Sequence, residues 1–215
     1  MKAEDVVQYL QENPGFFEDQ AELLAQIYVP HPHGGRAIPI AERQILTLRE
    51  KSRMLEGKLA ELIAFGEEND AIGEKMHRLS LALIPPVDLQ GMLQALFYNL
   101  REDFAVPHAA MRLWRGSGES QEFAPVSDEL RQYAAGLEFP FCGPSGNAEA
   151  AAWFGDGASH VRSVAHMALR DEAKACIGIM ALGSEDVMRF YPEMGTLYLQ
   201  RLGELASASL LRYNV

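Results

Sequence analysis

The most reactive side chains of this chain are its two cysteines, Cys142 and Cys176. A cysteine becomes a nucleophile when a nearby base or positive charge populates the thiolate, and neither cysteine has such a partner at a recognisable spacing. Cys142 does lie in an aromatic, proline-flanked segment, residues 139–144, which favours a rigid position in which a thiol could react. We nevertheless expect two free, buried thiols in a reducing compartment, and no catalytic residue.

A second pattern that could carry chemistry is the pair His31 and His33. Two imidazoles on a loop supply only two ligands, whereas a zinc site needs three or four. The flanking prolines and glycines are typical of a turn between helices. The sequence therefore predicts a polar turn and no metal site.

Polar and aromatic side chains of the C-terminal half are candidates for lining a small-molecule cavity. The candidate ligand-binding residues are Arg112, Trp114, Cys142, Trp153 and His166. Tryptophans more often pack in cores or interfaces, and histidines are often satisfied edge groups, so packing is the alternative interpretation. These residues form no recognisable ligand or cofactor motif, so the cofactor is unknown.

The charge of the chain restricts its partners. Thirty acidic and nineteen basic residues give a formal charge of −11. Nucleic acid and anionic lipid would be approached against this field, so direct binding of either is disfavoured. The N-terminus lacks the apolar core of a signal peptide, and no uncharged apolar run reaches the roughly 20 residues that span a bilayer. We expect a cytoplasmic protein without membrane contact.

Short helices are predicted at the N-terminus, in a helical cap over residues 1–39. Residues 3–12 place Val6, Val7 and Leu10 on one helical face. The turn at 13–15 ends that helix, and a second apolar face follows before the Pro/Gly-rich linker at 30–35.

Residues 40–85 predict one long helix with a coiled-coil seam. Strong helix formers dominate, there is no proline from Ile40 to Leu83, and apolar residues recur at alternating steps of three and four. Two successive steps of three at Leu59, Leu62 and Phe65 indicate a stammer. The predicted dimer-interface residues are Ile45, Leu48, Leu55, Leu59, Leu62, Phe65, Asn69, Ile72 and Met76.

The polar Asn69 within that seam favours a parallel homodimer of fixed register. The alternative is that the helix packs within its own chain, as helices of bundles do. One helix can do both, pairing with a second copy along one stretch and packing within its own chain along another.

Residues 86–215 predict an α+β domain. Asp88 can cap a helix over 89–100, and alternation over 109–115 predicts a strand. Segments 161–169 and 175–182 predict an antiparallel hairpin. Further helices are predicted over 127–135, 145–154 and 190–213.

Several short motifs, in order, identify a family resemblance. They include Asn13-Pro14-Gly15-Phe16-Phe17, Glu68-Asn69-Asp70, Phe141-Cys142-Gly143-Pro144 and Leu182-Gly183-Ser184. Together they resemble the bacterial domain-of-unknown-function family 484 over nearly the whole chain. The resemblance implies a helical N-terminal segment followed by a GAF-like domain, an antiparallel sheet flanked by helices. It implies no reaction and no catalytic residues.

The function that we expect from the sequence is that of a non-catalytic sensory or regulatory adaptor. It would act as a homodimer and bind an unidentified small molecule or protein partner. One alternative is a structural interaction protein that has lost ligand binding. Another is a thiol redox enzyme similar to the GAF-type methionine sulfoxide reductases, with Cys142 as its nucleophile.

Overall fold

The computed structural model describes residues 2–29 and 38–213. The described chain divides into two compact units, with the boundary between Glu68 and Asn69. The predicted linker and its histidine pair at 31 and 33 lie outside the described residues. The domain boundaries at residues 39 and 85 stay predictions, because compactness does not measure which part of a chain folds alone.

The N-terminal unit begins with short helices, as predicted. Its elements are α1 (Ala3–Glu12), α2 (Phe16–Asp19), α3 (Ala21–Gln26), and the paired two-residue strands β1 (Tyr28–Val29) and β2 (Ile38–Pro39). Asn13 ends α1, since its backbone N–H and its side-chain amide both donate to the carbonyl of Tyr9, at 3.0 and 2.9 Å. The predicted second helix is divided at Gln20, and the two-residue strands were not predicted.

The long helix is present as α4 (Ile40–Ala82). At its end the guanidinium of Arg212 donates to the carbonyls of Leu83 and Ile84, at 3.0 and 3.1 Å. These bonds satisfy carbonyls that have no partner within the helix, just before Pro85 and Pro86. Across residues 2–29 and 38–213, no helix is long and apolar enough to cross a membrane.

The C-terminal unit is built on a four-stranded antiparallel sheet with helices on both faces. Its strands are β3 (His108–Leu113), β4 (Phe141–Gly143), β5 (Ser163–Arg170) and β6 (Cys176–Ser184), in the order β3-β6-β5-β4. Its helices are α5 (Leu89–Glu102), α6 (Asp128–Gly136), α7 (Ala148–Ala152) and α8 (Leu197–Leu211). The predicted α+β class and the hairpin are confirmed.

Two elements differ from the sequence predictions. The proline-flanked segment over residues 139–144, for which no strand was predicted, contains β4, because Phe141, Cys142 and Gly143 pair with β5. The last helix begins at Leu197 and not near Phe190, since Pro192 and Gly195 favour turns over helix in the segment before it.

The two faces of the sheet differ in composition. One, here called the apolar face, carries Met111, Met167 and Met180 and packs on α5, α8 and the last turns of α4. The other, here called the mixed face, packs on α6 and α7. It carries the small residues Ala110 and Ala181 beside the polar Arg112 and His166. Strand alternation places these two sets on opposite sides.

Candidate functional site

Four of the five predicted ligand-binding residues lie together on or beside the mixed face, and Cys142 does not. Arg112, Trp114, Trp153 and His166 belong to this side of the sheet. Cys142 lies opposite Ala165 on β5, so its side chain joins the core of the apolar face.

Burial raises the pKa of Cys142 to about 11 and also raises the pKa of Cys176. A Cys142 thiol is therefore protonated at neutral pH and lacks the thiolate that nucleophilic attack requires. The surroundings of Cys142 lend no support to the redox alternative.

Arg112 is a half-buried cation held against an aromatic ring. Its guanidinium carbon lies 4.7 Å from the ring centroid of Trp153, and one N–H donates to the carbonyl of Met111 at 2.9 Å. Burial lowers the pKa of Arg112, while the nearby carboxylates of Glu122 and Glu149 act in the opposite direction. No carboxylate of the described residues comes within 4.0 Å of it, so the cation has no direct ion pair.

The carboxylate of Glu149 binds Ser127 and does not pair directly with Arg112. It accepts from the backbone N–H of Ser127 at 3.1 Å and from the hydroxyl of the same residue. Since Ser127 also caps α6 by accepting from Leu130 N–H at 3.1 Å, Glu149 ties α7 to the start of α6. The two helices over the mixed face are joined at this point.

His166 is fully buried, with none of its surface exposed. Its Nδ1 lies 3.0 Å from the hydroxyl of Tyr133 on α6, and its ring packs against the ring of Phe141 at a centroid distance of 5.8 Å. Burial lowers its pKa to about 4, so the imidazole is neutral at neutral pH. Its Nε2 atom has no hydrogen-bond partner in the part of the chain that the structure describes.

Trp114 has a structural role. Its indole N–H donates to the carbonyl of Cys176 at 2.8 Å, which fastens the end of β3 to β6. This bond uses the polar group of Trp114, so the residue offers a ligand only its ring surface.

Sequence reasoning missed two members of this group, His108 and Tyr133. His108 begins β3, and its buried Nε2 has no hydrogen-bond partner among residues 2–29 and 38–213. The carboxylate of Glu185 lies 3.9 Å from this atom. The alternation that places Arg112 on the mixed face also places His108 there, and this was the available signal. Tyr133 could not be found in this way, because only tertiary packing brings α6 to His166.

Two surface grooves lie elsewhere on the C-terminal unit. One, of about 630 Å³, runs along α5 beside residues 117–123, and the other, of about 710 Å³, lies between α8 and the turn after α6. None of the five predicted ligand residues lines either groove. In the described parts of the chain, no group of three or more His, Cys, Asp or Glu side chains could hold a metal ion.

The predicted dimer seam divides into an exposed and a covered part. The exposed members of the seam are Ile45 (50% exposed), Leu48 (64%), Leu55 (65%), Leu59 (58%), Leu62 (66%) and Phe65 (58%). Ile72 and Met76 are half-buried, and Met76 packs against the core of the C-terminal unit. The backbone carbonyl of Asn69 accepts from the hydroxyl of Tyr198 at 2.8 Å.

Comparison with known proteins gives a family and relatives. The family model described as "Protein of unknown function, DUF484" matches residues 1–215. The chain is 28% identical over 217 residues to the uncharacterised protein YigA of Shigella flexneri, and 27% identical to YigA of Escherichia coli K12. Each alignment covers 97% of this chain and 90% of the relative. Neither name states a reaction, a ligand or a partner, so none is transferred.

Proposed function

This chain belongs to the family of unknown function DUF484, and from that premise we propose that it is a non-catalytic adaptor that acts as a homodimer. The exposed seam of α4 joins two copies, and the C-terminal unit, which we take to be GAF-like, binds a small molecule or a protein. The antiparallel sheet with helices on both faces supports the GAF-like interpretation.

The observation that carries the proposal is the exposed apolar seam over residues 45–65. Its four leucines, Ile45 and Phe65 are each at least half exposed. Scattered exposed apolar residues are ordinary, but a continuous stripe at heptad spacing marks a surface that another helix covers. Burying a leucine that is otherwise exposed stabilises by about 1.5–3 kcal/mol, so six such positions favour association strongly.

A second copy of the same chain fits this stripe better than an unrelated helix does. A heptad seam is self-complementary about a twofold axis, because each apolar position meets its own counterpart. The polar Asn69 at the end of the exposed stretch would pair with the same residue of a parallel partner and fix the register.

Sedimentation of a double variant, Leu55→Glu with Leu62→Glu, tests the proposal. We expect wild type to sediment as a dimer and the variant as a folded monomer, because four carboxylates would be buried in the dimer seam. The matched control is Met54→Glu with Ala60→Glu, which adds the same charge to the same helix at positions outside the seam. This control should remain dimeric.

Two outcomes would contradict the proposal. A monomeric wild type at micromolar concentration would leave the seam without a second copy. A dimer that survives both seam substitutions would locate the interface on another surface.

A further inference from the structure

Two buried nitrogen atoms on the mixed face lack hydrogen-bond partners, and both belong to histidines. They are Nε2 of His108 and Nε2 of His166, the unsatisfied buried side-chain atoms among the residues that the structure describes. A buried polar group without a partner loses its hydration and gains nothing in return, which costs about 1–3 kcal/mol. Such groups are rare in native proteins. Where they occur, a ligand or a water molecule often supplies the missing hydrogen bond.

The proton of His166 can be placed by counting partners. The imidazole is neutral at neutral pH, so one ring nitrogen carries a proton. If Nδ1 carried it, Nδ1 would donate to the Tyr133 hydroxyl oxygen, and both the hydroxyl proton and the Nε2 lone pair would lack partners among the described residues. If Nε2 carries it, Tyr133 donates to Nδ1 and only the Nε2 proton is unpaired. Nε2 is therefore a buried donor that faces no acceptor, and an oxygen atom would complete it.

A single short segment, residues 146–157, covers both histidines. It contains α7 and has a glycine against each imidazole. A Cβ atom on Gly146 would lie 2.4 Å from Cε1 of His166, and one on Gly157 would lie 2.4 Å from Cε1 of His108. Only glycine lets the backbone come this close. We call residues 146–157 the cover segment.

The cover segment has few fully buried side chains: Trp153 and Phe154 pack on the mixed face while partly exposed, and the Glu149 carboxylate holds α7 to Ser127. Ala150 is its one fully buried residue, and the other side chains from 146 to 157 are half-buried or exposed. Segments with few buried apolar contacts open locally at a small fraction of the global unfolding free energy. Movement of this segment would expose the Nε2 atoms without disturbing the apolar face.

The cover segment also lies over a cation. Its Trp153 ring packs on the Arg112 guanidinium, which forms no ion pair with any described residue. Arg112 is opposite Ile179 on β6 and His166 is opposite Ala181. Strands β3 and β5 lie on either side of β6, and the two residues are offset by two positions along the strands. Their Cα atoms are therefore about 12 Å apart. The long arginine side chain can bridge much of that distance, so one small molecule could contact both groups.

We propose that the mixed face binds a small carboxylate with an apolar or aromatic body, admitted when the cover segment moves. A carboxylate oxygen accepts from Nε2 of His166, and the guanidinium of Arg112 balances the charge. The ring of Phe141, which packs on His166, and the ring of Trp153, which packs on Arg112, enclose the apolar body. This proposal deepens the ligand-binding part of the proposed function. Its failure would leave the dimer test unaffected.

Nitrogen-15 NMR of histidine-labelled full-length protein tests the donor first. We expect a slowly exchanging proton on Nε2 of His166, assigned by its loss in His166→Phe and its retention in His77→Phe, which changes an exposed histidine. A proton on Nδ1 would overturn the proposal, because Nε2 would then be an acceptor.

Titration with benzoate tests the ligand class, with benzamide as the neutral molecule of the same shape. We expect benzoate to shift the Nε2–H signal of His166 and to bind at least tenfold more tightly than benzamide. Arg112→Gln should weaken benzoate binding by about tenfold, the effect of losing one charge-assisted contact. No shift with benzoate, equal binding of benzamide, or unchanged binding by Arg112→Gln would each overturn the proposal.

Discussion

The two halves of α4 carry one seam in two different environments. Leu62 and Leu79 are the same residue type, on the same helix, in the same heptad pattern. Leu62 is 66% exposed, whereas Leu79 is completely buried in the core of the C-terminal unit. The pattern thus shows that a helix face must be covered, but it does not show whether the cover is a second chain or the same chain.

The largest expected effect separates these two environments directly. Leu79→Ala should lower the free energy of unfolding of the C-terminal unit by about 2–5 kcal/mol, because it leaves a cavity in a packed core. Urea unfolding followed by circular dichroism measures this loss. Leu62→Ala is the matched control and should leave that transition unchanged while weakening self-association.

Equal destabilisation by both leucine variants would break the comparison. It would mean that residues 45–65 belong to the same cooperative unit as the sheet.

A smaller effect concerns the end of α4 in the covered half. Arg212→Ala removes the donors to the carbonyls of Leu83 and Ile84. We expect a loss of about 1–2 kcal/mol in the same urea transition, since two helix-end carbonyls then depend on water. Arg201→Ala removes a charge from α8 but no hydrogen bond to a carbonyl of the described residues, so it should cost less. Equal losses would assign the effect to charge alone.

The smallest expected effect is a stabilisation. Gly73 lies within α4, and a Cβ atom there would meet nothing within 4 Å. Gly73→Ala should raise the stability of the C-terminal unit by up to about 1 kcal/mol, because alanine loses less backbone entropy in a helix. Gly57→Ala, equally open but in the exposed half, should raise helicity without moving that transition. If Gly57→Ala shifted the urea transition, the two halves of α4 would unfold as one cooperative unit.

Most of the secondary structure could be predicted from local signals. The helix α4 follows from 43 residues without an interior proline, and Asp88 caps α5 by accepting from Gly91 N–H at 2.7 Å, as its position before the apolar run indicated. The strand β4 could not be predicted in this way. Its three residues lie between Pro140 and Pro144 and are too few to show a periodicity, so only pairing with β5 makes them a strand.

The sequence predicted most of the residues of the candidate site but not how they are arranged in space. Arg112, Trp153 and His166 come together because strand alternation and the position of α7 bring them to one face. Cys142 was grouped with them on its aromatic surroundings, but the register of β4 turns its side chain to the other face. A shift of one residue in pairing reverses the side of every residue in a strand, and sequence spacing does not fix that register.

The sequence by itself determined the helical and strand periods, the acidic charge, the seam of α4 and the family. These are properties of neighbouring residues, and they need no distant contact. Tertiary structure alone decided that the seam is buried from Leu79 onward, that Tyr133 meets His166, and that Gly146 and Gly157 lie against two imidazoles whose Nε2 atoms have no hydrogen-bond partner among the described residues. Each of these depends on residues far apart in the chain, whose meeting is set by packing of the whole unit and not by any local preference.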